Sequence, residues 1–148
     1  MRWLPKIYVC FWAVLLSPIG CSKNNIERNP YLPNVPFSYQ LNLRLPSYNS
    51  LNFAGGGHFI EEIGLNGVLV FNLNGSSFLA WEATCPNHAI ETCSTLSLKG
   101  VIAECGCEAS QYSLATGQLL NPTETNTTPY SLLFYQVQKV GDALLISN

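Results

Sequence analysis

Charge is scarce in this chain. Its 148 residues hold 7 Lys and Arg against 9 Asp and Glu, and the basic residues nowhere cluster. A nucleic-acid footprint needs clustered Lys and Arg, so that class is excluded. Long apolar runs are also missing. Ile7 to Leu16 is the apolar run of note, well short of the roughly 20 residues that cross a bilayer as a helix. No segment sustains helical periodicity. Repeats and low-complexity tracts are absent. So are a nucleophile–base pair, a phosphate loop and a dinucleotide fingerprint, and the chain is not expected to be an enzyme.

What is present begins with the ends. Residues 1–20 read as an export signal: Arg2 and Lys6 give a positive start and Ile7–Leu16 an apolar core. Pro18-Ile19-Gly20-Cys21 resembles a bacterial lipoprotein box, in which the cysteine is acylated and becomes the first mature residue. Pro18 stands where an aliphatic residue is usual. The expectation is an exported protein of the bacterial cell envelope, its membrane partner reached through a lipid on Cys21. Pro30, Pro33 and Pro36 make residues 21–36 an expected extended tether. Residues 37–148 would then form one domain. Outside the cytoplasm disulfides persist. Cys10 lies in the signal, which leaves Cys21 for lipid and Cys85, Cys93, Cys105 and Cys107 for pairing or metal.

The body of the domain reads as all-β. Residues 37–43 alternate apolar and polar, the period of a half-buried strand. Residues 58–62 form a short strand, residues 67–73 a β-branched and aromatic one, and residues 77–83 its partner. Asn74-Gly75 is a two-residue hairpin signal between them. Strands at 95–98 and 101–104 flank Lys99-Gly100. Strands at 132–138 and 143–146 flank Gly141-Asp142. Such spacing predicts a small antiparallel barrel or sandwich.

Two strands deliver cysteines into loops: Cys85-Pro-Asn-His88…Cys93 and Cys105-Gly-Cys107-Glu108. Thiolate and imidazole are ligands of zinc and iron–sulfur centres. Four cysteines allow three disulfide connectivities. These loops resemble the Rieske-type ferredoxin family, whose two loops, Cys-x-His and Cys-x-x-His, hold a [2Fe–2S] cluster. In one branch each loop also gives a cysteine to a clamping disulfide. The resemblance covers residues 37–148 and is most specific over 85–117. It implies Cys85 and Cys105 as ligand cysteines and Cys93 and Cys107 as the disulfide pair. Ser110 and Tyr112 match the serine and aromatic that follow the second loop, and Leu114-Ala-Thr-Gly117 matches the turn leading out.

The chain departs from that pattern at the histidines. Glu108 stands where the second ligand histidine belongs. His88 lies three residues after Cys85 instead of two. His58 is on a different segment. Three readings follow. A cluster would use Cys85, His88, Cys105 and Glu108. Zinc would use His88, Cys93, Cys105 and Cys107, with a Cys-x-Cys bite tighter than structural zinc sites favour. Without metal, the loops would carry two disulfides, Cys93–Cys107 and Cys85–Cys105. The preferred expectation is the metal-free one: a divergent bacterial Rieske-like lipoprotein that has lost its [2Fe–2S] centre and serves as a disulfide-stabilised binding or structural module. Its alternative is an electron-transfer protein with an unknown redox partner. Elsewhere, His58 is expected at the surface or in a turn, Glu61-Glu62 on a solvated strand edge, and Trp81 and Tyr135 in the core or at its rim.

Overall fold

The computed structural model describes residues 28–123 and 129–148. The expected export signal over residues 1–20 and the expected lipid site Cys21 lie outside the described residues. Nine strands are described, in chain order β1 Ser38–Asn42, β2 Gly57–Ile60, β3 Val68–Asn72, β4 Phe78–Glu82, β5 Leu96–Lys99, β6 Ile102–Cys105, β7 Gln111–Ser113, β8 Phe134–Val140 and β9 Ala143–Ser147. Two short 3₁₀ turns over Pro46–Asn52 are the one helical segment described. No helix among the described residues is long and apolar enough to cross a membrane.

The strands form two sheets, all pairs antiparallel. The larger has the order β1-β9-β8-β4-β3-β2 and the smaller β5-β6-β7. The fold class is the expected all-β one. β3 explains how the two sheets share one body. Its five residues Val68–Asn72 are all buried, because both of its faces are covered. Val68 and Val70 face one core with Leu41, Leu51, Tyr135, Leu144 and Ile146. Leu69 and Phe71 face a second core with Trp81, Leu96, Ala103, Tyr112 and Leu114. β8, by contrast, alternates exposed Phe134, buried Tyr135 and exposed Gln136, as a strand with one wet face must.

Turn chemistry sets the register, with two corrections to the sequence reading. Gly141-Asp142 is the two-residue turn expected, between paired Val140 and Ala143. Gly141 sits there at φ +61°, a region open to glycine at little cost. The Asn74-Gly75 hairpin is longer than two residues: Asn72 pairs with Phe78, and the Leu73 N–H reaches the Ser77 carbonyl. The reason is that Asn74 folds its side chain back. Its Oδ1 accepts from the N–H groups of Ser76 and Ser77 at 3.1 and 2.8 Å, an Asx-type turn that competes with a tight hairpin. Lys99 pairs with Ile102, so that turn is centred on Gly100-Val101, one residue later than expected.

The proline-rich residues 28–36 pack on the domain. Leu32 is buried, Asn29 donates to the Pro86 carbonyl at 2.8 Å, and Tyr31 meets Tyr130 edge to face. Asn148 donates to the Asn34 side chain and the Val35 carbonyl, tying this segment to the end of the chain.

Candidate functional site

The site is built at one end of the smaller sheet. The first loop leaves β4 at Glu82 and enters β5 at Leu96; the second leaves β6 at Cys105 and enters β7 at Gln111. Backbone bonds close the first loop on itself, and strand pairing sets it beside the second. Cys85 N–H donates to Ser94 at 2.8 Å, and Leu96 N–H to Ala83 at 2.7 Å. Leu96 pairs with Cys105, so the first cysteine of each loop comes to the same place. The Cys105-Gly-Cys107 spacing has a steric cause. A Cβ on Gly106 would lie 2.9 Å from the Cys93 carbonyl oxygen, closer than side chains tolerate. Ala109 takes φ +53° as the chain turns back, and its N–H reaches the Cys105 carbonyl.

The four cysteines are joined in two bridges, Cys85–Cys105 and Cys93–Cys107, with Cα atoms 5.7 and 5.1 Å apart. The inner bridge is buried: Cys85 and Cys105 are 0% and 1% exposed. The outer one faces solvent through Cys93. Of the expected ligand set, Cys85, His88 and Cys105 come together, with donor atoms within 4.8 Å of one another. His88 places Nε2 3.4 Å from Cys105 Sγ. Glu108 does not join that group. It is exposed and its carboxylate accepts from Ser110 Oγ at 3.5 Å. The expected zinc set does not converge as such either; Cys93 and Cys107 meet Glu91 instead of His88.

These residues do not fit a four-ligand [2Fe–2S] centre. Three donors converge where two irons need four protein ligands. The two sulfurs that would bind one iron are bonded to each other.

Several supporting residues were not legible in the sequence. Asn87, inside the first loop, donates to the Tyr112 hydroxyl at 2.8 Å and the Tyr130 carbonyl at 3.0 Å. Its Oδ1 accepts from Tyr130 N–H at 2.7 Å. It thereby fastens the loop to β7 and to the segment before β8. Burial pushes the Tyr112 hydroxyl pKa up. Trp81, in the core as expected, donates from Nε1 to the Leu114 carbonyl at 2.9 Å.

Glu82 is the other hidden residue. It is 0% exposed, and its carboxylate accepts four bonds. They come from Leu65 N–H, Asn66 N–H, the Thr84 hydroxyl at 2.5 Å and the Tyr135 hydroxyl at 2.6 Å. Every oxygen lone pair is thus occupied by structure, as a buried charge requires. Burial and the Glu82 carboxylate together drive the Tyr135 hydroxyl well above the usual phenol range. The only signal was a carboxylate inside an otherwise apolar strand. His58 lies in β2, within the short strand expected from residue 58; it is half-buried there and meets Tyr48 edge to face at 4.8 Å. Glu61 and Glu62 are exposed, beyond the end of β2.

Beside the first loop lies a groove of about 570 Å³ between residues 28–34 and 130–134. Leu32, Leu132 and Phe134 give it an apolar wall, and Asn29 and Tyr130 connect it to the loop.

No protein-family model and no curated protein matches this chain. Solved structures do. A chain of the reduced complex between oxygenase and ferredoxin in carbazole 1,9a-dioxygenase superposes with TM-score 0.50 at 18% identity, over 74% of this chain and 27% of that one. The ferredoxin of carbazole 1,9a-dioxygenase from Nocardioides aromaticivorans IC177 gives TM-score 0.44 at 17% identity, over 76% and 97%. A putative NADH-dependent nitrite reductase small subunit from Mycobacterium tuberculosis gives 0.44 at 16%, over 78% and 97%. The chain therefore spans about a quarter of the first of these. Its fold is that of a Rieske-type ferredoxin domain, an assignment that rests on the first superposition. In this chain that fold carries paired cysteines and an incomplete ligand set.

Proposed function

We propose that this chain is an exported bacterial lipoprotein whose Rieske-like domain has lost its [2Fe–2S] cluster. It works at the cell envelope as a disulfide-stabilised binding or structural module, without catalytic activity of its own. The observation that carries this reading is the Cys85–Cys105 bond. A metal ligand is a thiolate, and a sulfur held in a disulfide is not one. Exposed Glu108, outside the group formed by the other three donors, adds to it. The binding face in this reading is the groove beside the first loop. A lipid on Cys21 holds the domain at the membrane, and the partner is a protein that meets the apolar wall of that groove.

A second reading is a single-electron carrier with a [2Fe–2S] centre on Cys85, His88, Cys105 and Glu108. The convergence of three of these four donors favours it. Its partner would be an oxygenase, as the association of oxygenase with ferredoxin in the carbazole dioxygenase complex suggests.

Iron and acid-labile sulfide, measured together with a visible spectrum on protein purified without air, separate the two. The proposal expects a colourless protein without either. Iron and sulfide in equal amounts, with visible charge-transfer absorption, would sink it. Export is tested separately, by metabolic acyl labelling that must vanish in Cys21→Ser.

A further inference from the structure

The state of His88 points beyond a static bridge. Its Nδ1 lies 2.7 Å from the Ala89 carbonyl oxygen. A carbonyl only accepts, so Nδ1 carries the hydrogen. In the neutral ring Nε2 then presents a bare lone pair. That lone pair faces Cys105 Sγ at 3.4 Å, and a disulfide sulfur has no hydrogen to offer it. An imidazole lone pair is thus held against two buried sulfurs, neither of which offers it a hydrogen. Metal-ligating histidines are fixed in the same way, the distal N–H donating to a backbone carbonyl. The other cysteine group, Glu91, Cys93 and Cys107, has no imidazole, and two of its three members are exposed.

The donor count selects the ion. Two sulfurs and one nitrogen lie within 4.8 Å of one another, too few for a dinuclear cluster. Zinc accepts three protein ligands, two Cys and one His among the known sets, with water in the fourth place. His88 is only half-buried, so solvent reaches this residue and a water can complete the set. We propose that reduction of the Cys85–Cys105 bridge converts this corner into a mononuclear zinc site formed by Cys85 Sγ, Cys105 Sγ and His88 Nε2. The inference rests on the cluster-free reading above.

The step balances with a dithiol as reductant. The dithiol supplies two electrons and two protons: its own S–S bond forms as the Cys85–Cys105 bond breaks, leaving two protein thiols. Zinc(II) then forms two Zn–S bonds and one Zn–N bond, and the two thiol protons pass to solvent. Reoxidation would expel the ion, so metal occupancy follows the thiol state.

The test uses the full-length chain in detergent, reduced with a phosphine that is then removed without air. Zinc is titrated against a chromophoric chelator, and cobalt(II) serves as the optical probe. The expected result is one zinc per reduced chain, none per oxidised chain, and tetrahedral cobalt–thiolate absorption. His88→Ala should weaken binding by roughly tenfold or more, a size reached even by groups one shell beyond the metal. Cys93→Ser combined with Cys107→Ser should leave binding intact. A folded reduced chain that takes up no zinc overturns the proposal, as does a reduced chain that loses its near-ultraviolet circular dichroism. So does binding that survives His88→Ala and disappears with Cys93 and Cys107. Iron and sulfide in the protein as isolated would instead refute the cluster-free reading itself.

Discussion

The two bridges close loops of similar length, yet their removal should not cost the same. Cys85 and Cys105 are 20 residues apart in sequence, Cys93 and Cys107 are 14 apart. Loop-closure entropy alone gives about 3.3 and about 3.0 kcal/mol at 25 °C. The two loops share residues 93–105, so each bridge already shortens the loop the other closes. Either single removal therefore falls below its isolated estimate, and removing both costs more than the two single losses together. Burial then separates the pairs. Cys85 and Cys105 are 0% and 1% exposed, and losing two buried sulfurs adds roughly 1.5–2 kcal/mol of lost transfer and packing. The outer pair faces solvent at Cys93 and adds little. Urea unfolding at neutral pH, followed by intrinsic fluorescence, should place the outer double-alanine variant about 2–3 kcal/mol below the wild type. The inner one should lie about 4–5 kcal/mol below. Equal losses, or a larger loss from the outer pair, would refute the reasoning. A negligible loss from both would mean that the bridges do not form.

Other perturbations test the supports of the site. Glu82→Gln puts an amide N–H₂ among four donors, and the mismatch should cost about 3–5 kcal/mol, the usual result of breaking a buried charge network; a loss under 1 kcal/mol in urea unfolding would contradict the hub described for Glu82. Gly117→Ala forces a left-handed residue at φ +73° and sets a Cβ 2.7 Å from the Trp81 ring. It should cost about 1–3 kcal/mol and alter the near-ultraviolet circular dichroism of Trp81, and an unchanged spectrum would count against that packing. In alkali, Tyr39 is pushed up to about 12, first by its hydrogen bond with Tyr48, and Tyr135 is also raised, first by burial. Above pH 10 the unfolded chain thus loses protons that the native one keeps, and stability should fall as pH rises; constant stability from pH 10 to 12 would refute the assignment. In acid, burial lowers the His58 pKa, so the unfolded chain binds more protons near pH 6 and stability should fall as pH drops through that range. His58→Gln should flatten this slope, and an unchanged slope would show that His58 is not its source.

The strand pattern was legible because most strands here declare themselves by period or by β-branched runs between glycine turns. Elements held by tertiary contacts were not. β7 is only Gln111–Ser113, too short for a period, and exists because β6 pairs with it. The Pro46–Asn52 turns are fixed by burial of Leu51, whose carbonyl accepts from the buried Asn72 side chain. Residues 28–36 read as a tether from their prolines, but Asn29 and Asn34 find partners near Pro86 and Asn148, far away in sequence. Within the site, the cysteines were visible as a set because each loop carries two. Asn87 and Glu82 were invisible because, Thr84 apart, their partners lie 16 to 53 residues distant. Glu108 was the informative departure: a carboxylate in a histidine's place, exposed and outside the group formed by Cys85, His88 and Cys105.

Disulfide mapping tests the central claim most directly. Protein taken directly from its own cells is alkylated at once, digested without reductant and analysed by mass spectrometry. The account predicts one peptide pair linked through Cys85 and Cys105, another through Cys93 and Cys107, and no alkylated cysteine among the four. Alkylated Cys85 and Cys105, with Cys93 and Cys107 still bridged, would contradict it and return the inner pair to the role of cluster ligands.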